Sequence, residues 1–144
     1  NGDSPAGPEM ISPQMYRRFA LPFEKRNVEE AHRQGLPYAL HICGNTAKIL
    51  DAMMETGTDA HELDYKTDTV TMHHALKGRV TLIGNIDPSG VLALGSTGLV
   101  EARTRELLEL FSDTPRFVLN AGCAIPASTP EENIKTLIRV AREY

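Results

Sequence analysis

Short apolar runs alternate with longer stretches of helical periodicity along most of this chain. Four apolar runs have the length expected of buried strands, and they cover residues 37–43, 60–64, 80–86 and 117–123. In the stretches that follow them, apolar residues recur every three or four positions, as in helices that pack on one face. Strict alternation of strands and helices with short turns predicts an α/β fold with a parallel sheet.

Capping residues and glycines mark where the predicted helices begin and end. A first helix is expected from Ser12 to about Gly35, with a kink at Pro22. The final helix has the clearest start, because Thr129 is followed by proline and then by Glu132 in the pattern of a capping box. The helices between these two are expected over residues 45–56, 68–76 and 100–111.

Two architectures satisfy this order of elements. One is a four-stranded doubly wound sheet, and the other is half of a (β/α)8 barrel, since a complete barrel takes about 250 residues. No phosphate-binding glycine motif follows any of the strands, so nothing favours a nucleotide-binding doubly wound fold. We therefore favour the half barrel, in which residues 1–35 are a loop and helix of a preceding unit and residues 36–144 form four βα units.

Composition narrows the classes of function. The chain has 41% hydrophobic and 24% charged residues and a formal charge of −4, which argues against nucleic acid as the main partner. No apolar run approaches the roughly 18–20 residues that cross a bilayer. The chain begins without methionine or a signal-peptide pattern, so we expect a piece of a longer protein. Two cysteines do not make a disulfide framework, and a reducing, cytoplasmic setting is the default expectation.

Polar and sulfur-containing side chains end every predicted strand. Ligands collect at the carboxyl ends of parallel strands, so these side chains are expected on one rim. The candidates are His41 and Cys43 on the first strand, Glu62 and Asp64 on the second, Asn85 and Asp87 on the third, and Cys123 on the fourth. Asn45, Asn85, Asp87 and Asn120 are the candidate substrate-pocket residues.

One histidine and two cysteines are a donor set suited to Zn²⁺, with a fourth position left open as in catalytic sites. Asp64, or with less support Glu62, is expected at that fourth position when substrate is absent. The residues alone leave two alternatives open. The first is a buried structural histidine with two buried thiols, and the second is a nucleophilic thiol with His41 as its base.

The remaining histidines fit packing or surface roles better than metal binding. His61 is expected to point away from Glu62 and Asp64, because neighbouring residues of a strand face opposite sides. His32 lies near the end of the first predicted helix, where a cation is favourable, and His73 and His74 lie inside a helix.

The proposed ligands also require a curved sheet. Cys43 and Cys123 lie on the first and last of four strands, and strands are about 4.8 Å apart, so a flat sheet separates them by roughly 14 Å. Such a distance exceeds what zinc bonds of ~2.0–2.3 Å can join. We therefore expect the half barrel either to keep its curl or to complete a barrel by pairing its open edges with a second copy.

Four segments of the chain resemble the carboxyl-terminal half of the uroporphyrinogen decarboxylase superfamily. They are "GDSPAGPEMISPQMYRRFALPFEK", "HICGNTAKILDAMMETGTDA", "LIGNIDP" and "LNAGCAIPASTPEENI". Within the superfamily they are most similar to the zinc-dependent methylcobamide:coenzyme M methyltransferase branch. His-x-Cys with a distant cysteine in "GCAIP" is the specific part, since the decarboxylases proper lack this triad.

This resemblance implies a (β/α)8 barrel of which the chain supplies strands five to eight. It also implies that Zn²⁺ held by His41, Cys43 and Cys123 binds a small thiol such as coenzyme M and stabilises its thiolate, with Asp64 as a resting ligand. The thiolate then attacks the methyl group of a methyl-corrinoid carried on a separate corrinoid protein. The alternatives are a decarboxylase of the uroporphyrinogen type and a non-catalytic barrel half that serves as a binding module.

Overall fold

A computed structural model describes residues 2–144 of the chain. Its four strands lie side by side in sequence order and are all parallel, as the alternating pattern predicts. They are β1 (Ala39–Ile42), β2 (Ala60–Leu63), β3 (Thr81–Ile86) and β4 (Phe117–Ala121). A helix follows each strand, so the predicted four βα units of a half barrel are confirmed.

The helices are α1 (Pro13–Met15), α2 (Leu21–Arg33), α3 (Leu50–Met54), α4 (Thr69–Leu76), α5 (Thr97–Leu110) and α6 (Glu131–Glu143). Two π-helical turns, Tyr16–Ala20 and Pro88–Ala93, and a 3₁₀ turn, Ser4–Ala6, complete the regular elements. Within residues 2–144, none of these helices combines the length and apolar character needed to cross a membrane.

The first helix begins where the sequence predicts and is interrupted before Pro22. Ser12 caps it by accepting a hydrogen bond from the backbone N–H of Met15 at 3.2 Å. The chain then widens into the π-helical turn Tyr16–Ala20 and resumes as α2 at Leu21. Proline has no N–H and its ring crowds the preceding turn, so a regular α-helix does not run through this position.

The helix predicted from Asn45 is much shorter than expected, because side chains take the hydrogen bonds that would start it. The Asn45 side-chain oxygen accepts from the Ala47 N–H at 3.1 Å, and the Thr46 N–H donates to the Thr67 hydroxyl at 2.8 Å. The Asn45 bond is local, whereas Thr67 reaches Thr46 from the loop after β2, and both bonds compete with a regular helix start. The prediction was therefore wrong at this end, and α3 begins at Leu50.

The capping box predicted at Thr129 was also wrong. The Thr129 N–H donates to the carbonyl of Pro126 in a turn, and Pro130 occupies the cap position of α6. The Thr129 hydroxyl is buried and has no hydrogen-bond partner among the described residues. The tight turn at residues 126–129 moves the helix start by one residue, so the threonine cannot cap it.

Successive side chains of β1 point to opposite faces of the sheet, and one face packs in the core. Leu40 and Ile42 are fully buried, while His41 between them faces the other side of β1 and pairs in register with Glu62. The core also includes Leu63, Met72, Leu76, Leu82, Leu92, Val100, Leu107 and Phe111, which pack the sheet against its helices.

His61 and Glu24 are ionisable side chains that are buried away from the rim. His61 on β2 is fully buried, and neither ring nitrogen has a hydrogen-bond partner within residues 2–144. Burial lowers the pKa of His61 to about 4. Glu24 on α2 is 2% exposed and accepts a hydrogen bond from the Tyr16 hydroxyl. Burial raises the pKa of Glu24 to about 7, although the Tyr16 bond acts in the opposite direction.

Candidate metal centre

Four potential metal ligands converge at the carboxyl ends of the strands. His41 belongs to β1, Cys43 and Asp64 follow β1 and β2 directly, and Cys123 lies two residues beyond β4. His41 Nε2 is 3.2 Å from Cys43 Sγ and 3.9 Å from Cys123 Sγ. One ligand atom from each of the four residues lies within 4.8 Å of the others. Ligand atoms this close together can all coordinate one metal ion.

Curvature of the sheet brings the first and last strands together. Cys43 Sγ and Cys123 Sγ are 3.8 Å apart, although two strands separate β1 from β4 and a flat sheet would hold them roughly 14 Å apart. The sheet of a single chain is therefore curved enough to bring the two sulfurs together without a second copy.

Hydrogen bonding orients His41 for ligation through Nε2. Its Nδ1 is 3.1 Å from the backbone carbonyl oxygen of Glu62, which can only accept, so Nδ1 carries the proton. The lone pair is then on Nε2, which faces the two sulfurs. Metal-binding histidines generally have such a partner on the other ring nitrogen. Together with two thiols and a carboxylate, this arrangement fits a Zn²⁺ site.

Asp64 and Glu62 occupy different places, although both were candidates for the fourth position. Asp64 is buried, and its two carboxylate oxygens accept from the N–H groups of Gly44 and Lys66 at 2.8 and 2.9 Å. Glu62 lies outside the group of four, accepts from the Asn120 amide at 3.1 Å and has Oε2 3.8 Å from His41 Nδ1. The geometry thus favours Asp64 as the fourth donor and leaves Glu62 beside the imidazole.

Cys123 depends on a very close approach of two loops. Burial raises the pKa of the Cys123 thiol, whereas a hydrogen bond from the Ala124 N–H lowers it. The preceding residue, Gly122, donates its N–H to Ile86 at 2.8 Å. A Cβ atom on Gly122 would lie 2.5 Å from the backbone nitrogen of Tyr65, which is far too close for a real contact.

We therefore expect Gly122→Ala to displace Cys123 and to destabilise the fold. Overpacking of this kind typically costs about 1–3 kcal/mol, which urea unfolding measures directly. Gly98→Ala is a matched control, because its Cβ would meet nothing closer than 3.8 Å inside α5. Equal stability of both variants would contradict this account of Gly122.

A cavity of about 570 Å³ lies between α5 and the segments that follow β2 and β3, and none of the four ligand residues lines it. Asn45, Asn85 and Asp87, three of the four predicted pocket residues, line it together with Tyr65 and Lys66. The fourth, Asn120, is instead bonded to Glu62 near the imidazole. Asn85 is 7% exposed and its side-chain oxygen has no hydrogen-bond partner in the described part of the chain. The Asn85 oxygen is itself buried, so it is an unpaired acceptor in the wall of the cavity rather than on its surface.

The amino-terminal loop lies against the ligand group, which sequence reasoning missed. Gly2 bridges to His41 in parallel, and the Asp3 N–H donates to the His41 carbonyl at 2.8 Å. Ser4 contacts Cys43, and Glu9 forms an ion pair with Lys66. A Gly- and Pro-rich stretch predicts a loop but carries no signal for where it packs, so these contacts had no sequence counterpart.

The fold and the site together define an α/β half barrel with a candidate metal centre at the carboxyl ends of its strands. Residues 2–144 match the uroporphyrinogen decarboxylase (URO-D) family, and the chain belongs to that family. The chain spans about 40% of the length of the curated relatives it matches first.

Relatives of two kinds are similar to this chain. A methylcobamide:CoM methyltransferase, MtbA, of Methanosarcina mazei is 32% identical over 99% of this chain and 40% of its own length. A uroporphyrinogen decarboxylase of Trichodesmium erythraeum is 35% identical over 98% of this chain and 39% of its own length. Among solved structures, a methyltransferase from Methanosarcina mazei superposes with a TM-score of 0.88 at 29% identity, over 99% of this chain and 40% of that one.

Proposed function

We propose that this chain is the zinc-binding half of a methyltransferase that transfers a methyl group from a methyl-corrinoid to a small thiol. The convergence of His41, Cys43, Asp64 and Cys123 within 4.8 Å is the observation that supports it best. Methyltransferase relatives acting on methylcobamide and coenzyme M point to the same chemistry. A cysteine–histidine nucleophile pair explains the site less well, because it gives the second cysteine no role.

In this proposal His41, Cys43 and Cys123 would hold Zn²⁺, and Asp64 would be the fourth donor in the absence of a thiol. Zinc bound there stabilises the thiolate form of the substrate at neutral pH. The chain's own contribution is to fix the ligands, since the Glu62 carbonyl orients His41 and two backbone N–H groups hold Asp64.

The transfer itself forms one bond and breaks another. The substrate sulfur would use a lone pair to form a bond to the methyl carbon, and the cobalt–carbon bond would break with its electron pair left on cobalt. Asn45, Asn85 and Asp87, which line the 570 Å³ cavity at the carboxyl ends of the strands, are the proposed substrate-pocket residues. Asn120 lies outside this cavity and is the proposed substrate contact beside the imidazole, where it is bonded to Glu62.

The proposed partners are a corrinoid protein that docks over the carboxyl rim and the rest of the barrel. β1 and β4 are the two edges of the sheet within residues 2–144, and parallel edges of this kind pair readily. We propose that the remaining barrel units pair there, with residues 1–35 belonging to the unit before β1. A second copy of the chain is the alternative, and the mass of the chain in solution separates the two. Both cysteines are free, which fits a reducing, cytoplasmic setting.

A decarboxylase function is the second candidate, because a uroporphyrinogen decarboxylase is 35% identical to this chain. That reaction does not require the His–Cys–Cys group at the rim. A barrel half without catalytic activity, acting as a binding module, is the third. Both alternatives predict that the protein purifies without stoichiometric zinc.

Metal analysis combined with an assay tests the proposal. We expect about one zinc per chain, and transfer of methyl from methylcobalamin to coenzyme M when the remaining barrel units accompany the chain. Methylcobalamin replaces the corrinoid protein, so the outcome does not depend on identifying that partner. Protein without zinc that decarboxylates uroporphyrinogen would replace the methyltransferase proposal with the second candidate.

A further inference from the structure

The side chain of Ser4 contacts one of the proposed metal ligands. Its hydroxyl oxygen is 3.0 Å from Cys43 Sγ, although the two residues are 39 positions apart. No other described side chain outside the group of four lies within hydrogen-bonding distance of this sulfur. Ser4 is not a metal-ligand candidate, so the contact requires a separate explanation.

Backbone contacts on both sides fix the main chain at Ser4, whose side chain is exposed. On one side, the Asp3 N–H donates to the His41 carbonyl at 2.8 Å. On the other, the Gly7 N–H donates to the Ser4 carbonyl at 3.1 Å, and a Cβ on Gly7 would lie only 2.5 Å from the Cys43 carbonyl oxygen. The loop is therefore packed directly against the segment that carries Cys43, which places the Ser4 side chain next to its sulfur.

We propose that Ser4 is a positioning residue of the metal centre, whose hydroxyl donates a hydrogen bond to the metal-bound sulfur of Cys43. This inference rests on the proposed metal site. A deprotonated cysteine sulfur can only accept, so the hydroxyl must be the donor once Cys43 binds metal.

Such a bond draws electron density from the sulfur and fixes its orientation. Hydrogen bonds to sulfur ligands and other outer partners tune metal sites, and their loss typically weakens metal affinity by about 10–100-fold. The amino-terminal loop would thus control both the affinity of the site and the charge that Cys43 shares with the metal.

Cobalt substitution tests this role independently of enzyme activity. Co²⁺ binds in zinc sites and gives a sulfur-to-cobalt charge-transfer absorption band. We expect Ser4→Ala to move this band to longer wavelength, because sulfur electrons that lack the hydrogen bond are easier to excite. Zinc affinity in competition with a chelator is expected to fall roughly tenfold. Ser4→Thr keeps the hydroxyl and should retain the band position.

Ser112→Ala is the matched control, since Ser112 is exposed and bonds only to the Glu109 carbonyl at the opposite end of the sheet. An unchanged band in Ser4→Ala, or an equal shift in Ser112→Ala, would overturn the inference. Loss of cobalt from Ser4→Ala but not from Ser4→Thr would support it, and loss from both would overturn it. Unmodified chain that binds no cobalt or zinc would instead refute the metal centre itself, and the role of Ser4 with it.

Discussion

We expect the Cys43→Ser and Cys123→Ser variants to lose stoichiometric zinc binding. A serine hydroxyl stays protonated at neutral pH and does not replace a thiolate as a zinc ligand. Each cysteine sulfur lies within 3.9 Å of His41 Nε2, so removing either leaves two strong donors at most, together with Asp64. The loss of affinity should exceed the roughly 10–100-fold that follows loss of an outer partner. Metal content after dialysis and competition with a chelator measure it.

Glu62→Gln is the control for this pair of variants. Glu62 is adjacent to His41, but its side chain lies outside the group of four ligands, and the carbonyl that orients the imidazole belongs to its backbone. This variant should keep its zinc. Retention of one zinc per chain by either serine variant would exclude the proposed ligand set. Equal loss of zinc in Glu62→Gln would show that Glu62 contributes to metal binding and would contradict the assignment of Asp64 as the fourth ligand.

The second large effect concerns the acid stability of the fold. His61 is buried without a hydrogen-bond partner in residues 2–144, and its pKa falls from the ordinary 6.5 to about 4. Between these values the unfolded chain binds the proton and the folded chain does not, so stability falls as pH falls from 6.5 to 4. Through His61 alone, the free energy of unfolding falls by about 3 kcal/mol between pH 6.5 and pH 4.

The contribution of Glu24 to stability has the opposite pH dependence and offsets part of the acid destabilisation caused by His61. Its pKa rises from 4.5 to about 7, so the folded chain keeps a proton that the unfolded chain releases. Stability from this group is therefore lost as pH rises from 4.5 to 7. In the unmodified chain the two slopes oppose each other over most of the same range.

A pair of variants separates the two groups. The Glu24→Gln chain should lose stability steadily on acidification, and adding His61→Leu should remove that loss. The difference in unfolding free energy between these two variants, followed by urea titration at several pH values, isolates His61. His74→Leu is the control, because His74 is exposed on α4. A difference that does not vary with pH would show that His61 is not the acid-sensitive group.

Most of the fold follows from local patterns, and the errors fall where side chains compete with the backbone. The four strands and the order of the helices follow from hydrophobic periodicity, which tertiary packing then reinforces. Asn45 and Thr129 were both expected to start helices, yet one forms a local turn and the other is buried. A single sequence does not reveal that Thr67 takes the Thr46 N–H, because that bond joins residues 21 positions apart.

The candidate site is partly predictable for a similar reason. Strand ends in a parallel sheet share one rim, so grouping His41, Cys43 and Cys123 needed only the order of the strands and a curved sheet. The choice of Asp64 over Glu62 depends on where each carboxylate points beyond β2, which periodicity leaves open. Contacts from the amino-terminal loop depend on packing against Cys43 and have no periodic signature, so Ser4 could not be found from the sequence.

Cys43 and Cys123 are 80 residues apart, and they meet only after all four strands have associated. In an unfolded or half-folded chain only His41 and Cys43 are close to each other, and two ligands bind a metal ion with lower affinity than the complete group. A metal ion shared by the two sulfurs would close a loop whose formation costs the unfolded chain about 4.5 kcal/mol of configurational entropy. Metal uptake is therefore expected to be a late event in folding, and the bound ion would resist the flattening of the curved sheet.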